Sequence, residues 1–230
     1  MTLNRKALKV VVTKAAAFAG LDLQRTKMGY LRLRHRYLGP REARASWYDR
    51  VYAEEQDAYA CHYSQSPYLA VWNELAKRVT SEDSIVEIGC GTGQLAELLR
   101  DRGISRYIGF DFSGEAIRLA RRRLSEVQFE VGDALQTPLL LNETFSTVLC
   151  TEVLEHINED LAVLARIPPG VRVLATVPNY FARTHVRWFS TADEVVNRYA
   201  PVFSELTVTP CKLGSGSSVL YLLDGVIVAA

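Results

Sequence analysis

From residue 84 onward, short apolar runs alternate with stretches of helical spacing, and each change of rhythm marks an element. Residues 84–88 form an apolar run of strand length. Residues 94–102 place Leu95, Leu98 and Leu99 on one helical face, with Arg100 and Arg102 in the last turn and Gly103 as the stop. Residues 107–110 predict a second strand ending at Asp111. Ser113 then caps a helix whose inner face is Ala116, Ile117, Ala120 and Leu124. Strands over 127–131 and 147–151 come next, followed by a short helix over 160–167. The turn Pro168-Pro169-Gly170 leads into a fifth strand over 171–177, and 191–199 is helical. Apolar runs at 204–208 and 219–228 close the chain. Strands separated by helices predict an α/β fold: a mostly parallel, doubly wound sheet with helices on both faces, completed by antiparallel closing strands. Such a sheet binds ligands at the carboxyl ends of its strands, beside the point where strand order reverses.

The first forty residues follow another pattern. Leu3, Leu8, Val11, Val12, Ala15, Phe18 and Ala19 share one helical arc, with Arg5, Lys6 and Lys9 opposite. Residues 31–37 alternate at period two, and the stretch 47–72 is rich in tyrosine and ends in a helix over 67–77. The net charge of +1 conceals nine Lys and Arg against one Asp in residues 1–40, and eighteen basic against twenty-five acidic residues after them. The division predicts a basic amphipathic extension and lid over residues 1–59 and a catalytic domain over 60–230. Three accounts of the basic arm stay open: peripheral contact with an anionic membrane, tracking of a nucleic-acid backbone, or a helix packed on the sheet with its charges in water. The membrane contact is the preferred partner, and nucleic acid is set aside. No stretch reaches the ~20 apolar residues of a membrane-spanning helix, and Lys14 interrupts the resemblance of the N-terminus to a secretory leader. Cys61, Cys90, Cys150 and Cys211 are widely spaced, which suits reduced thiols in a cytoplasmic protein.

The first strand runs into Gly89-Cys90-Gly91-Thr92-Gly93 and then a helix. A dinucleotide fingerprint needs its third glycine where Gln94 stands, so that reading is disfavoured. Three segments together, IVEIGCGTG, YIGFDFS and FEVGDAL, resemble the class I S-adenosylmethionine-dependent methyltransferases, a family with a Rossmann-like seven-stranded sheet. The resemblance covers residues 60–230 and implies S-adenosylmethionine as cofactor. It places Glu87, Gly89, Gly91 and Gly93 at the methionyl part, Asp111 on the ribose hydroxyls and Phe112 on the adenine face. Asp133 and the Ala134 amide would meet the adenine edge, and Thr151 completes the cofactor set. Taken singly, the glycines could form an ordinary tight turn, and the two aspartates could be helix caps.

The fourth strand delivers Glu152-Val153-Leu154-Glu155-His156, which resembles the E-V-L-E-H segment of small-molecule methyltransferases of the ubiquinone type. An alcohol or phenol that accepts a methyl group must lose a proton, and a base near pKa 6–7 suits that task. His156 with Glu155 is therefore the expected catalytic pair, although His156 could instead orient the following turn. Glu152, Asn179, Tyr180, His185 and Arg187 are expected to shape the acceptor site, with Tyr59, His62, Tyr63 and Tyr68 as lid residues. The expected reaction is methyl transfer to an oxygen, or in second place a nitrogen, of a biosynthetic small-molecule, lipid-linked or glycan acceptor. No metal is assigned. One alternative resembles the Hen-type RNA 2′-O-methyltransferases, which would make Glu152, Glu155, His156 and His185 metal ligands. Another is a scaffold that binds the cofactor without turnover.

Overall fold

The computed structural model describes residues 41–54, 59–142 and 144–229. The amphipathic helix and the period-two segment expected within residues 1–40 lie outside them. Seven strands, β1 (Ser84–Ile88), β2 (Arg106–Asp111), β3 (Gln128–Val131), β4 (Thr147–Cys150), β5 (Arg172–Pro178), β6 (Phe203–Lys212) and β7 (Val219–Ile227), form one sheet in the order β3-β2-β1-β4-β5-β7-β6. Pairing is parallel among β1 to β5, and β7 runs antiparallel to both β5 and β6. Helices α1 (Ala45–Glu54), α2 (Leu69–Ala76), α3 (Gln94–Asp101), α4 (Gly114–Arg123), α5 (Leu139–Asn142), α6 (Asp160–Leu164) and α7 (Ala192–Tyr199) accompany it. The mostly parallel doubly wound sheet expected from the alternation is the observed architecture. Its strand order reverses between β1 and β4.

Burial on both faces explains why the central strands read as nearly continuous apolar runs. Ile85, Leu149 and Leu174 pack with Leu75 of α2 and Leu95, Leu98 and Leu99 of α3. Val86, Val148 and Val173 cluster instead with Val163 and Leu164 of α6 and Val195 and Tyr199 of α7. A fully buried aliphatic side chain contributes roughly 1.5–3 kcal/mol, so these two layers hold the strand ends in place. Caps fix the helices: Ser113 Oγ accepts from the Ala116 amide at 3.1 Å, as expected, and Thr191 Oγ1 accepts from the Glu194 amide at 3.2 Å.

Three features depart from the sequence pattern. Strand β6 extends well beyond 204–208, because its outer part is a sheet edge where Thr207, Pro210 and Lys212 are exposed and no apolar pattern is required. Helix α6 stops at Leu164, short of residue 167. Helix α1 has no buried residue and so carries little hydrophobic signal.

Asp160, fully buried at the start of α6, accepts from Arg198 at 2.6 and 2.8 Å and from the Tyr199 hydroxyl at 2.7 Å, and it pairs with Arg187 at 3.1 Å. This carboxylate ties α6, α7 and the loop after β5 together. Removing one partner from a buried ion network leaves the others uncompensated, at a cost of about 3 kcal/mol. Asp160→Asn should therefore lower the urea midpoint of unfolding by that equivalent; a midpoint within error of the parent would show that the network is dispensable.

Candidate active site

The loop after β1 is shaped by proximity to the loop after β4. Gly89, Gly91 and Gly93 have φ of +70°, +53° and +78°, a region that L side chains enter at a cost. A Cβ on Gly89 would also lie 2.3 Å from Val153 Cγ2, so no side chain fits there. The Gly91 amide donates to Asp111 Oδ2 at 3.0 Å, and the Ser113 amide donates to Oδ1 at 2.8 Å. Asp111 ends β2 with only 6% of its surface exposed. Burial outweighs these two hydrogen bonds and, with Asp49 nearby, lifts its carboxyl to about 6. An ionised carboxylate has about four acceptor sites, so two remain for a ligand.

A cavity opens over this edge, lined by Gly89, Asp111, Phe112, Asp133, Ala134 and Leu135 among others. Its empty volume, open mouth included, is about 790 Å³, within the range of small-molecule sites. Phe112 is 37% exposed and offers its ring to the cavity. Asp133 Oδ1 accepts from the Leu135 amide at 2.8 Å, which secures the turn after β3. Helix α1 forms the roof. Its Tyr48 ring lies 5.2 Å from that of Phe112, and Asp49 Oδ1 accepts from Ser113 Oγ at 2.6 Å and from the Glu115 amide at 3.2 Å.

A second chamber adjoins the first and shares Tyr48, Tyr52, Gly89, Glu152 and His156 with it. Tyr59, Tyr68, Tyr180 and His185 line its far side. Glu87 and Thr151, expected at the cofactor, line this chamber and not the first. Glu87 is buried, accepts a hydrogen bond from the Tyr107 hydroxyl, and is raised to about 8 by desolvation.

The wall between the chambers concentrates unusual groups. Glu152 has a φ of +57°, the one non-glycine residue with positive φ among the described residues. Such a conformation costs of order 1–3 kcal/mol and persists only where its surroundings enforce it. Here the Glu152 amide donates to Thr176 Oγ1 at 3.0 Å, and Glu152 Oε2 accepts from the Tyr180 hydroxyl at 3.2 Å. Glu155 is fully buried, and neither of its carboxylate oxygens has a hydrogen-bond partner. Desolvation raises both acids: Glu152 to about 7, and Glu155 well above the usual range because it also faces the Glu152 charge.

His156 and His185 place their Nδ1 atoms 3.1 Å from the Thr184 carbonyl and 3.0 Å from the Tyr180 carbonyl, with ring centroids 4.9 Å apart. Burial lowers both rings, His156 to about 3 with His185 adding to the effect, and His185 to about 4. The expectation that His156 titrates near 6–7 is thus corrected. Desolvation leaves it neutral but a weak base, and Glu152 is the group poised near neutrality. Donor atoms of Glu155, His156 and His185 lie within 4.8 Å of one another, which brings together three of the four residues of the metal-binding alternative.

Two expected acceptor residues lie outside both chambers. Asn179 donates from Nδ2 to the Ser217 carbonyl at 3.1 Å and accepts from the Val219 amide at 2.8 Å, so its amide staples the β6–β7 hairpin to β5. Arg187 donates to the carbonyls of Leu154, Ile157 and Asn158 and pairs with Asp160, which makes it a clamp on the 154–158 turn. Among the expected lid residues, Tyr63 donates outward to Asp101 at 3.0 Å, and His62 caps a short turn through Ser64. The roof residues Tyr48, Asp49 and Tyr52 were not among the expected site residues. The i, i+4 spacing of Tyr48 and Tyr52 is the signal that marks them as one helix face.

Comparison with known proteins agrees with this geometry. Residues 85–172 match the family described as a methyltransferase domain. The ubiquinone biosynthesis O-methyltransferase of Thiobacillus denitrificans is 30% identical over 110 residues, 44% of this chain and 47% of that protein. The trans-aconitate 2-methyltransferase of Rhizobium meliloti is 31% identical over 126 residues, 53% of this chain and 48% of that one. The chain therefore spans about half the length of these curated relatives. The fold of a SAM-dependent methyltransferase from Thermotoga maritima superposes with a TM-score of 0.60 at 20% identity, covering 78% of this chain and 97% of that structure. The sheet order, the glycine loop and these likenesses converge: residues 85–172 carry a methyltransferase domain, in a fold shared with S-adenosylmethionine-dependent methyltransferases.

Proposed function

We propose that this chain transfers a methyl group from S-adenosylmethionine to an oxygen atom of a small-molecule acceptor. The observation that carries the reading is the pair of adjoining chambers that share Gly89, Glu152 and His156 as a common wall. One chamber suits the cofactor. The bare backbone at Gly89 would leave room for the methionyl chain, Asp111 would accept the two ribose hydroxyls, and the Phe112 ring would support the adenine. Asp133 and the Ala134 amide meet the adenine edge. When bound, the cofactor supplies a methyl group activated by a sulfonium.

The second chamber suits the acceptor. Tyr68 and Tyr180 flank it, and Glu152 stands at the join with the cofactor side. A hydroxyl acceptor in this chamber would give up its proton to Glu152, which stands on the wall shared with the cofactor side. A buried base near neutrality suits a hydroxyl acceptor, which must lose its proton as it attacks. The O-methyltransferase relative described above points the same way. Alignment of the two reactants supplies much of the acceleration.

Methyl-labelled S-adenosylmethionine, incubated with protein and a fractionated cell extract, should place label in small-molecule or lipid fractions as a methyl ether or ester. Label confined to RNA or to nitrogen would replace this acceptor. Glu152→Gln should lower kcat by about 10²–10³ while leaving cofactor affinity within about threefold; undiminished turnover would remove Glu152 as the base. Ribose hydroxyls prefer the ionised Asp111, whose carboxyl sits at about 6. Cofactor affinity in calorimetry should therefore be full above that pH and fall about tenfold by pH 5 as the group takes up a proton. Asp111→Asn should weaken binding about tenfold or more and flatten the profile; a flat profile in the parent protein would take Asp111 out of the ribose site.

A further inference from the structure

We infer that Asp49 is a positioning residue of the cofactor chamber: from helix α1 it fixes Ser113, and through Ser113 the carboxylate of Asp111, while latching α1 across the chamber. The inference rests on the assignment of Asp111 to the ribose hydroxyls proposed above.

Ser113 is the joint of this connection. It is fully buried, and its amide and hydroxyl are both committed. The amide donates to Asp111 Oδ1 at 2.8 Å. The hydroxyl donates to Asp49 Oδ1 at 2.6 Å, and the same oxygen accepts from the Ala116 amide at 3.1 Å. Asp49 Oδ1 also accepts from the Glu115 amide at 3.2 Å, a first-turn donor of α4 that no helical carbonyl can satisfy. A single oxygen of α1 therefore addresses two groups in the turn after β2. The Gly91 amide holds Asp111 Oδ2 at 3.0 Å. The carboxylate is thus fixed by the glycine loop on one side and by the bridge from Asp49 through Ser113 on the other.

Helix α4 has little need of Asp49 as a cap, because Ser113 is already its N-cap and serves the Ala116 amide. A second carboxylate beside Asp111 is also electrostatically unfavourable, since a like charge disfavours ionisation. Burial is the larger cause of the raised Asp111 carboxyl, and Asp49 adds to it. What the placement supplies is a connection. Helix α1 has no buried residue, so apolar packing does not dock it, and Asp49 is a polar anchor onto the body. Asp49 itself lines neither chamber. It acts through its neighbours on the helix. Tyr48 and Tyr52 line both chambers; the Tyr48 ring lies 5.2 Å from that of Phe112, and the Tyr52 hydroxyl lies 3.3 Å from where a Cβ on Gly91 would stand. The other titratable groups that feel Asp111 are these two tyrosines, Glu87 of β1 and Cys90 of the glycine loop. Burial raises all four and favours their neutral forms, which leaves Asp49 as the charge that bears on Asp111.

The full chain is titrated with S-adenosylhomocysteine by calorimetry from about pH 5 to 8, and ligand release is followed by stopped-flow protein fluorescence. Asp49→Asn keeps an oxygen for Ser113 and removes the charge, so the Asp111 carboxyl falls. The acid midpoint of binding should then move to lower pH, and the loss of affinity by about pH 5 should shrink from about tenfold to about threefold. Asp49→Ala removes the bridge, and release at neutral pH should accelerate about fivefold or more. Both variants are compared with the parent at matched circular dichroism. A general loosening of the fold would weaken binding equally at every pH and leave the midpoint in place. That outcome would overturn the inference, as would parent-like release in Asp49→Ala. A flat profile in the parent protein would instead strike the Asp111 assignment, and this inference with it.

Discussion

Two carboxylates removed from water beside the end of β4 set the terms for everything around them. Burying an acid is unfavourable unless something compensates it, and here both Glu152 and Glu155 are displaced toward the protonated form. Their position is enforced. Glu152 is held in a left-handed backbone conformation by Thr176, and Val153 is wedged against Gly89 so closely that no Cβ fits between the two loops. Strain and desolvation of this order are tolerated only on a rigid base. The double-sided core under β1, β4 and β5 provides one.

The same wall belongs to both chambers, so two molecules bound in them, under the proposed reading cofactor and acceptor, would be placed relative to one rigid feature. This matters for a displacement reaction, in which misalignment of the reacting atoms by ~1 Å can cost about a hundredfold in rate. The roof works differently. Helix α1 reaches the sheet through polar contacts, Asp49 with Ser113 and Glu115, and through Tyr48 against Phe112. A surface held by few apolar contacts opens at lower free energy than a core. The floor is thus fixed, and the cover above it is lightly held.

Much of this was legible in the chain because it is encoded locally. The alternation of strands and helices, the Ser113 cap and the glycines with positive φ each depend on residues within one or two turns of sequence. The site divides along the same line. Asp111, Phe112, Asp133 and Ala134 follow strand ends and could be placed by counting, and all four line the first cavity. Asn179, Arg187 and the protonation of His156 could not, because distant partners decide them: Ser217 and Val219 occupy Asn179, Asp160 and the 154–158 carbonyls occupy Arg187, and burial beside His185 suppresses charge on His156. The α1 roof escaped for a related reason. Its contacts join residues some 64 positions apart, and its apolar stripe is too weak to announce a helix.

The clamp formed by Arg187 carries an implication for how the wall of the second chamber can change. The segment that bears Tyr180 and His185 is not an autonomous module, since Arg187 within it locks onto Asp160, which in turn is shared with Arg198 and Tyr199 of α7. Transplanting that segment alone would take Arg187 away from Asp160 and leave the carboxylate with Arg198 and Tyr199 only. Recombination that preserves folding must move the loop together with α6 and α7. New specificities in such a lineage should then arise more readily by single substitutions on the chamber wall than by exchange of whole loops.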